Sequence, residues 1–116
     1  MKKYSGIKGK LDDLVGGHFR SRACDRCGKQ HDVQMHWAHI KSRKYLSVRW
    51  LTLNAFSLCA GCHRWSHDHP ELFTRWIDEN YPGRIEELQK VFISNVGTLK
   101  SWWFEELYEK LKEELQ

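Results

Sequence analysis

The chain has 116 residues, of which 41% are hydrophobic and 29% are charged, a composition typical of a folded globular domain and not of a disordered segment. No apolar run approaches the ~20 residues that a membrane-spanning helix requires. The basic first residues are not followed by the apolar stretch of a secretory signal. We therefore expect one soluble, cytoplasmic domain that has no membrane partner.

The net charge of +4 is unevenly distributed along the chain. Residues 1–67 contain 13 Lys and Arg against 4 Asp and Glu, whereas residues 68–116 contain 6 against 11. A basic half suggests a polyanionic partner such as a nucleic acid, although an ordinary solvated surface can have the same composition. The acidic half is typical of solvated helix surface.

Residues 1–10, rich in Lys and Gly, predict a flexible N-terminal tail. The next prominent feature is a pair of C-x-x-C motifs, Cys24/Cys27 and Cys59/Cys62. Two such motifs in one small chain without a secretory signal favour a four-cysteine Zn²⁺ site over two disulfides or a redox pair. Because four thiolates fill the coordination sphere of Zn²⁺, we predict that this zinc is structural.

Histidines occur close to the second motif and in the segment between the two motifs. His63 and His67 are four residues apart, so on a helix they share one face and can bind one metal ion. His36 and His39 lie in the intervening segment. Spacing alone leaves open that these are ordinary surface histidines.

The residues that carry a family resemblance occur in one order along the chain: Cys24/Cys27, His39, Asn54, Cys59/Cys62, His63 and His67. Over about residues 11–69 this order resembles the HNH endonuclease family in its four-cysteine zinc form, including phage recombination-type members. The resemblance implies an α+β fold with a ββα-metal core, in which two antiparallel strands and a helix surround one divalent cation. It also implies a cytoplasmic protein of bacterial or phage type.

The resemblance implies divalent-metal-dependent hydrolysis of DNA phosphodiester bonds, by nicking or cutting with low sequence specificity. His39 matches the general base, Asn54 the residue that holds the base-bearing loop, and His63 and His67 the helix ligands of a catalytic Mg²⁺, Mn²⁺, Ni²⁺ or Zn²⁺. Since a histidine ordinarily titrates near pH ~6.5, activity is expected to fall below about pH 6.

Ala38 departs from the family pattern, because many members place a metal-binding Asp or His immediately before the base. His36 is the candidate replacement. Residues 36 and 39 point to opposite faces of a strand, so we expect His36 to reach the metal only if the chain bends. Ala38 also favours the alternative function, a non-catalytic zinc-dependent DNA-binding module.

Basic side chains near these motifs are candidate contacts for DNA phosphates, which Arg and Lys bind without reading the base sequence. They are Arg20, Arg22, Arg26, Lys41, Arg43, Lys44, Arg49 and Arg64.

Residues 70–116 predict a helical extension that packs on the same domain. Apolar residues recur at helical spacing over about 71–81, 85–96 and 99–115. Gly97 is expected to end the second helix and Thr98 to cap the third. We expect a monomer, with a dimer through the last helix as the alternative.

Overall fold

The computed structural model describes residues 4–30, 34–94 and 99–115. Within these ranges the fold is α+β, with six helices and one two-stranded antiparallel sheet. The helices are α1 (Gly6–Arg20), α2 (Leu46–Arg49), α3 (Ala60–Asp68), α4 (Pro70–Asn80), α5 (Arg84–Ser94) and α6 (Ser101–Leu115). The strands are β1 (His36–His39) and β2 (Ala55–Leu58), and a 3₁₀ turn at Thr52–Asn54 leads directly into β2. None of the helices described is both long enough and apolar enough to cross a membrane.

The register of the sheet assigns each side chain of β1 to one of two faces. The paired residues are His36 with Leu58, Trp37 with Ser57, Ala38 with Phe56, and His39 with Ala55. Because side chains alternate along a strand, His36 and Ala38 lie on one face, and Trp37 and His39 lie on the other.

Each face of the sheet is covered by its own apolar cluster. On the first face, Phe56 and Leu58 pack with Phe73 and Ile77 of α4. The second face is covered by α1 and α6, which also pack against each other. The buried residues of that cluster are Leu11, Val15, Phe19, Trp50, Ala55, Phe104 and Leu111. The C-terminal helices therefore contribute core residues to both faces of the sheet.

The N-terminal segment differs from the prediction. Residues 6–10, predicted as part of a flexible tail, form the first turns of α1. Ile7 packs against the same cluster as Leu11 and Val15, so the four-residue spacing of buried positions extends to the start of the helix. The Lys and Gly residues of this segment obscured that spacing.

The helices after the zinc motifs agree closely with the predicted ranges. Pro70 occupies the first turn of α4, where a missing backbone N–H costs nothing. Gly83 separates α4 from α5 with a φ of 82°, a left-handed conformation that glycine adopts without strain. Gly97 and Thr98 lie outside the described residues.

Candidate functional site

The four cysteines converge on one point. Their Sγ atoms all lie within 4.8 Å of one another, and the Sγ atoms of Cys27 and Cys59 are 3.7 Å apart. Sulfurs arranged tetrahedrally about Zn²⁺ at a bond length of ~2.3 Å are separated by about 3.8 Å. No disulfide joins these cysteines. The cluster can therefore bind a metal ion and is compatible with structural zinc.

Backbone amides donate hydrogen bonds to two of the cysteine sulfurs, which favours the binding of a cation. The N–H of Cys27 donates to the Sγ of Cys24, and the N–H of Cys62 donates to the Sγ of Cys59, both at 3.5 Å. Burial alone would raise the pKa of the Cys24 thiol, but backbone N–H groups outweigh it and lower the pKa to about 6. Burial raises the pKa of the Cys62 thiol to about 12, so a bound cation would displace that proton.

Arg26 belongs to the cysteine cluster, which differs from its predicted place in a DNA groove. Its Nη1 donates to the Sγ of Cys62 at 3.4 Å, and its Cζ lies 3.6 Å from the centre of the Trp65 ring. Four thiolates around Zn²⁺ carry a net negative charge, which a guanidinium at this distance offsets. Arg26 thereby joins the first cysteine pair to α3.

The second cysteine pair also determines the position of two histidines. Cys59 caps the N-terminus of α3, so the first turn of this helix is held at the cysteine cluster. One turn later, the Nε2 atoms of His63 and His67 lie 3.2 Å apart. Two imidazoles on one metal ion at ~2.1 Å place their nitrogens about 3.0–3.4 Å apart. The pair therefore has the separation of two ligands to one cation.

His36 reaches the same pair from β1, and the chain does not bend to allow it. Its Nδ1 lies 2.8 Å from the Nδ1 of His63, with residues 36–39 forming one continuous strand. His36 makes this contact because it lies on the sheet face that α3 covers, and the expectation that it reaches a metal only through a bend stays a prediction. His36 and His67 nevertheless approach opposite nitrogens of the His63 ring.

The ring nitrogens of His36, His63 and His67 do not converge on one point. Among the residues that the structure describes, the cysteine cluster is the only group with three or more candidate ligand atoms all within 4.8 Å of each other. A three-histidine metal site would require one of the rings to turn. Burial, followed by the neighbouring His67 and His36, lowers the pKa of His63, which favours the neutral imidazole that binds metal ions.

His39 lies on the opposite face of β1 from His36. Its Nε2 is 3.0 Å from the carbonyl oxygen of Arg49. Since a carbonyl only accepts hydrogen bonds, Nε2 carries the proton and Nδ1 is left as the acceptor. Burial, aided by the charges of Arg49 and Arg43, lowers the pKa of His39 to about 4. His39 is therefore neutral well below pH 6, and a loss of activity at that pH would need another cause.

Asn54 is completely buried at the end of the 3₁₀ turn. Its Oδ1 accepts from the backbone N–H of Lys41 at 2.7 Å. Its Nδ2 donates to the carbonyl oxygens of Lys41 and Val48 at 3.2 and 3.0 Å. One side chain thus holds both ends of the segment between β1 and α2, directly after His39.

Arg84 supports this turn from α5. Its Nε donates to the carbonyl oxygen of Leu53 at 2.9 Å, and its Nη2 donates to those of Thr52 and Ala55, both at 2.8 Å. These carbonyls flank Asn54 on either side. The sequence contains no signal for this role, since an arginine at the start of a helix resembles any surface charge.

A cavity of about 560 Å³ brings the two groups of histidines together. Its lining includes His39 from β1 and His63 and His67 from α3, together with Trp37, Ile40, Ser42 and Arg43. Asn54 and His36 are not among the lining residues. A reacting group in this cavity would contact an imidazole from each side.

The predicted phosphate contacts fall into two classes. Arg49 is only 9% exposed, and its Nε and Nη2 donate to the Asp12 carboxylate at 2.8 and 3.0 Å. Trp50 Nε1 donates to the same carboxylate at 2.7 Å. Arg49 was therefore wrongly predicted as a DNA contact. Exposed side chains remain at Arg20, Arg22, Arg43, Lys44 and Arg64, with Lys41 half-buried.

Comparisons of this chain with protein-family models, with curated proteins and with solved structures gave no match. The function is therefore argued from the residues of the site.

Proposed function

We propose that this protein is a metal-dependent endonuclease of the HNH type that hydrolyses DNA phosphodiester bonds. The observation that carries the proposal is the cavity of about 560 Å³ where His39 faces His63 and His67. A neutral imidazole on one side and a pair of potential metal ligands on the other are what a metal-assisted hydrolysis requires. The order of β1, β2 and α3 along the chain is the order expected of a ββα-metal core.

His39 is the general base of the proposed reaction. Its Nδ1 is free to accept a proton because Nε2 is held by the Arg49 carbonyl oxygen. The deprotonated water oxygen then attacks phosphorus and the bond to the 3′ oxygen breaks. That oxygen takes up a proton from solvent, which leaves 5′-phosphate and 3′-hydroxyl ends. A low pKa makes His39 a modest base, but it is in the correct protonation state throughout the neutral range.

His63 and His67 would hold the catalytic cation, with His36 as the third ligand once the ring of His63 or His36 has turned. Such a cation stabilises the negative charge that develops on the phosphate and on the leaving oxygen. The position of His36 supports this assignment, since its Nδ1 lies 2.8 Å from the Nδ1 of His63. His36 then takes the place that Ala38 leaves vacant.

Asn54 and the cysteine cluster act as positioning elements. Asn54 holds the segment that follows His39, which matches the role implied by the family resemblance. The cysteine cluster with structural zinc would hold the first turn of α3, and so place His63. The exposed residues Arg43 and Lys44, next to the cavity, would bind phosphates.

One observation favours a second candidate function, a non-catalytic zinc-dependent DNA-binding module. His36 and His67 contact different nitrogens of His63, and Ala38 offers no ligand. If the rings do not rearrange, no catalytic cation is held, and the basic surface alone would bind DNA.

The deciding experiment is nicking of supercoiled plasmid by zinc-loaded protein in separate reactions with Mg²⁺, Mn²⁺, Ni²⁺ and Zn²⁺. We expect open-circle product with wild type, and a loss of at least 100-fold in rate for His39→Ala. His69→Ala is the matched control, because His69 is exposed and lies outside the cavity. DNA binding without nicking in any metal would support the binding module instead.

A further inference from the structure

An aromatic and basic surface lies beside the histidine cavity, and the proposed reaction uses only one of its residues, Lys44. We call it the Tyr45 platform, and it consists of Tyr45, Phe92, Lys41 and Lys44. Tyr45 is 41% exposed, and its ring meets Phe92 edge to face at 5.2 Å. The Nζ of Lys44 lies 5.2 Å from the Tyr45 ring centre, and that of Lys41 lies 4.6 Å from the Phe92 ring centre.

The loop that carries Tyr45 contributes residues to two clefts. Ser42 and Arg43 line the histidine cavity. The next residues, Lys44 and Tyr45, line a second cleft of about 360 Å³, together with Lys8. A strand that leaves the histidine cavity along this loop would therefore pass Tyr45.

The charge of the two clefts suits a polyanion. Neither lining contains an Asp or Glu among the residues that the structure describes, and each contains at least one Lys or Arg. The cavity of about 690 Å³ beside Arg84, by contrast, includes both Asp25 and Glu87 in its lining. Of these three cavities, the two that this loop lines are therefore the ones without a carboxylate from the described part of the chain.

The platform is also held in place before any ligand arrives. Asn54 holds the backbone of Lys41, and the N–H of Tyr45 donates to the carbonyl oxygen of Ser42 at 3.0 Å. A rigid aromatic side chain loses little conformational entropy when it binds a planar group.

From these observations we infer that the Tyr45 platform stacks an unpaired base of single-stranded DNA next to the histidine cavity. Aromatic rings stack on any base, while lysines follow the backbone, and this combination is typical of proteins that bind single strands. A duplex keeps its bases stacked on each other and cannot offer one to Tyr45 without extruding it. The inference rests on the proposed function, for which it names the substrate class: DNA with unpaired bases beside the cleaved bond.

The test measures binding separately from cleavage. Fluorescence anisotropy of a labelled oligo-dT and of a duplex of equal length is recorded with zinc-loaded full-length protein and no added divalent cation. We expect the single strand to bind more tightly. Tyr45→Ala should weaken single-strand binding about 5- to 150-fold, whereas Tyr45→Phe, which keeps the ring, should retain most of it. Leu72→Ala is the matched control, since Leu72 on α4 is 44% exposed and should leave binding unchanged.

The lysines are tested through the salt dependence of binding. Lys44→Ala should reduce the slope of log K against log salt concentration by about 0.7, the value for one phosphate contact on a single strand. Lys90→Ala should leave the slope unchanged, because Lys90 is an exposed α5 residue outside both clefts.

Three results would overturn the inference: tighter binding of the duplex, single-strand binding by Tyr45→Ala equal to that of wild type, or equal losses by Tyr45→Ala and Leu72→Ala. Tyr45-dependent binding of the single strand, with no cleavage of either the plasmid or the single strand in any metal, would support the inference and refute only the proposed catalysis.

Discussion

Replacing Arg84 with Met tests whether the C-terminal helices position the candidate site. The wild-type guanidinium makes three hydrogen bonds, at 2.8–2.9 Å, to the carbonyl oxygens around Asn54. Its Cζ also lies 4.2 Å from the centre of the Phe56 ring and 4.9 Å from that of Tyr81. Met keeps most of the apolar contact with these rings but removes every donor.

The loss in the free energy of unfolding expected for Arg84→Met follows from these contacts. A hydrogen bond to a charged group contributes about 1.5–3 kcal/mol, and the cation–π contacts about 0.5–1 kcal/mol each at partly exposed sites. Three bonds from one side chain are not additive, and the carbonyls regain water where Arg84 is half-buried. We therefore expect a loss of about 3 kcal/mol in the free energy of unfolding, measured by urea denaturation of zinc-loaded protein.

Two further variants make the test specific. Arg75→Met on α4 is the control, because Arg75 is exposed and should lose less than about 0.5 kcal/mol. Arg84→Lys should recover little, since one ammonium cannot reach three carbonyls that a planar guanidinium spans. A loss below about 1 kcal/mol for Arg84→Met, or full recovery with Lys, would refute the reasoning.

Three other predictions concern the cysteine cluster, Asp12 and His39. Cys27→Ser should lower the Zn²⁺ content measured by mass spectrometry and the thermal midpoint, and retention of a full equivalent of zinc would contradict the cluster. Asp12→Ala leaves the buried Arg49 unpaired and should cost about 3–5 kcal/mol in urea denaturation, whereas a change within 1 kcal/mol would contradict the pairing. The folded-state pKa of His39 is lowered from 6.5 to about 4, so the unfolded chain binds the proton more tightly, and stability present above pH 6.5 is lost as the pH falls toward 4. Relative to His39→Gln, wild type should lose up to about 3 kcal/mol over this range, and parallel stability curves would contradict the shift.

The cysteine motifs show how much of the site the sequence can predict. Each C-x-x-C pair predicts a local knuckle, and two pairs predict that the knuckles meet, which the convergence of the four Sγ atoms confirms. The i,i+4 spacing likewise predicts that His63 and His67 share a helix face, and their Nε2 atoms are 3.2 Å apart. Within each C-x-x-C pair and for the two histidines, the geometry is set within one turn of chain. The meeting of the two cysteine pairs, 31 residues apart, follows instead from the four ligands that one Zn²⁺ takes.

Arg49 shows what local sequence cannot predict, which is burial by a partner from a distant element. It was predicted beside Arg43 and Lys44 as a phosphate contact because all three are basic and adjacent in the chain. Its burial depends on Asp12, which lies 37 positions earlier and is brought to it by α1. The identity of a charged residue does not reveal whether a partner from a distant element will remove it from solvent.

Local spacing in the sequence therefore determined the two cysteine knuckles, the helical second half and the pairing of two histidines on α3. The α+β class was implied by the family resemblance. Only the tertiary structure decided the contact of His36 with His63, the support that Arg84 provides to the turn before β2, and the position of Tyr45 in the lining of a cleft. The reason is physical. These arrangements depend on which distant elements pack together, and that packing is selected by the summed burial of two apolar clusters and not by any single motif.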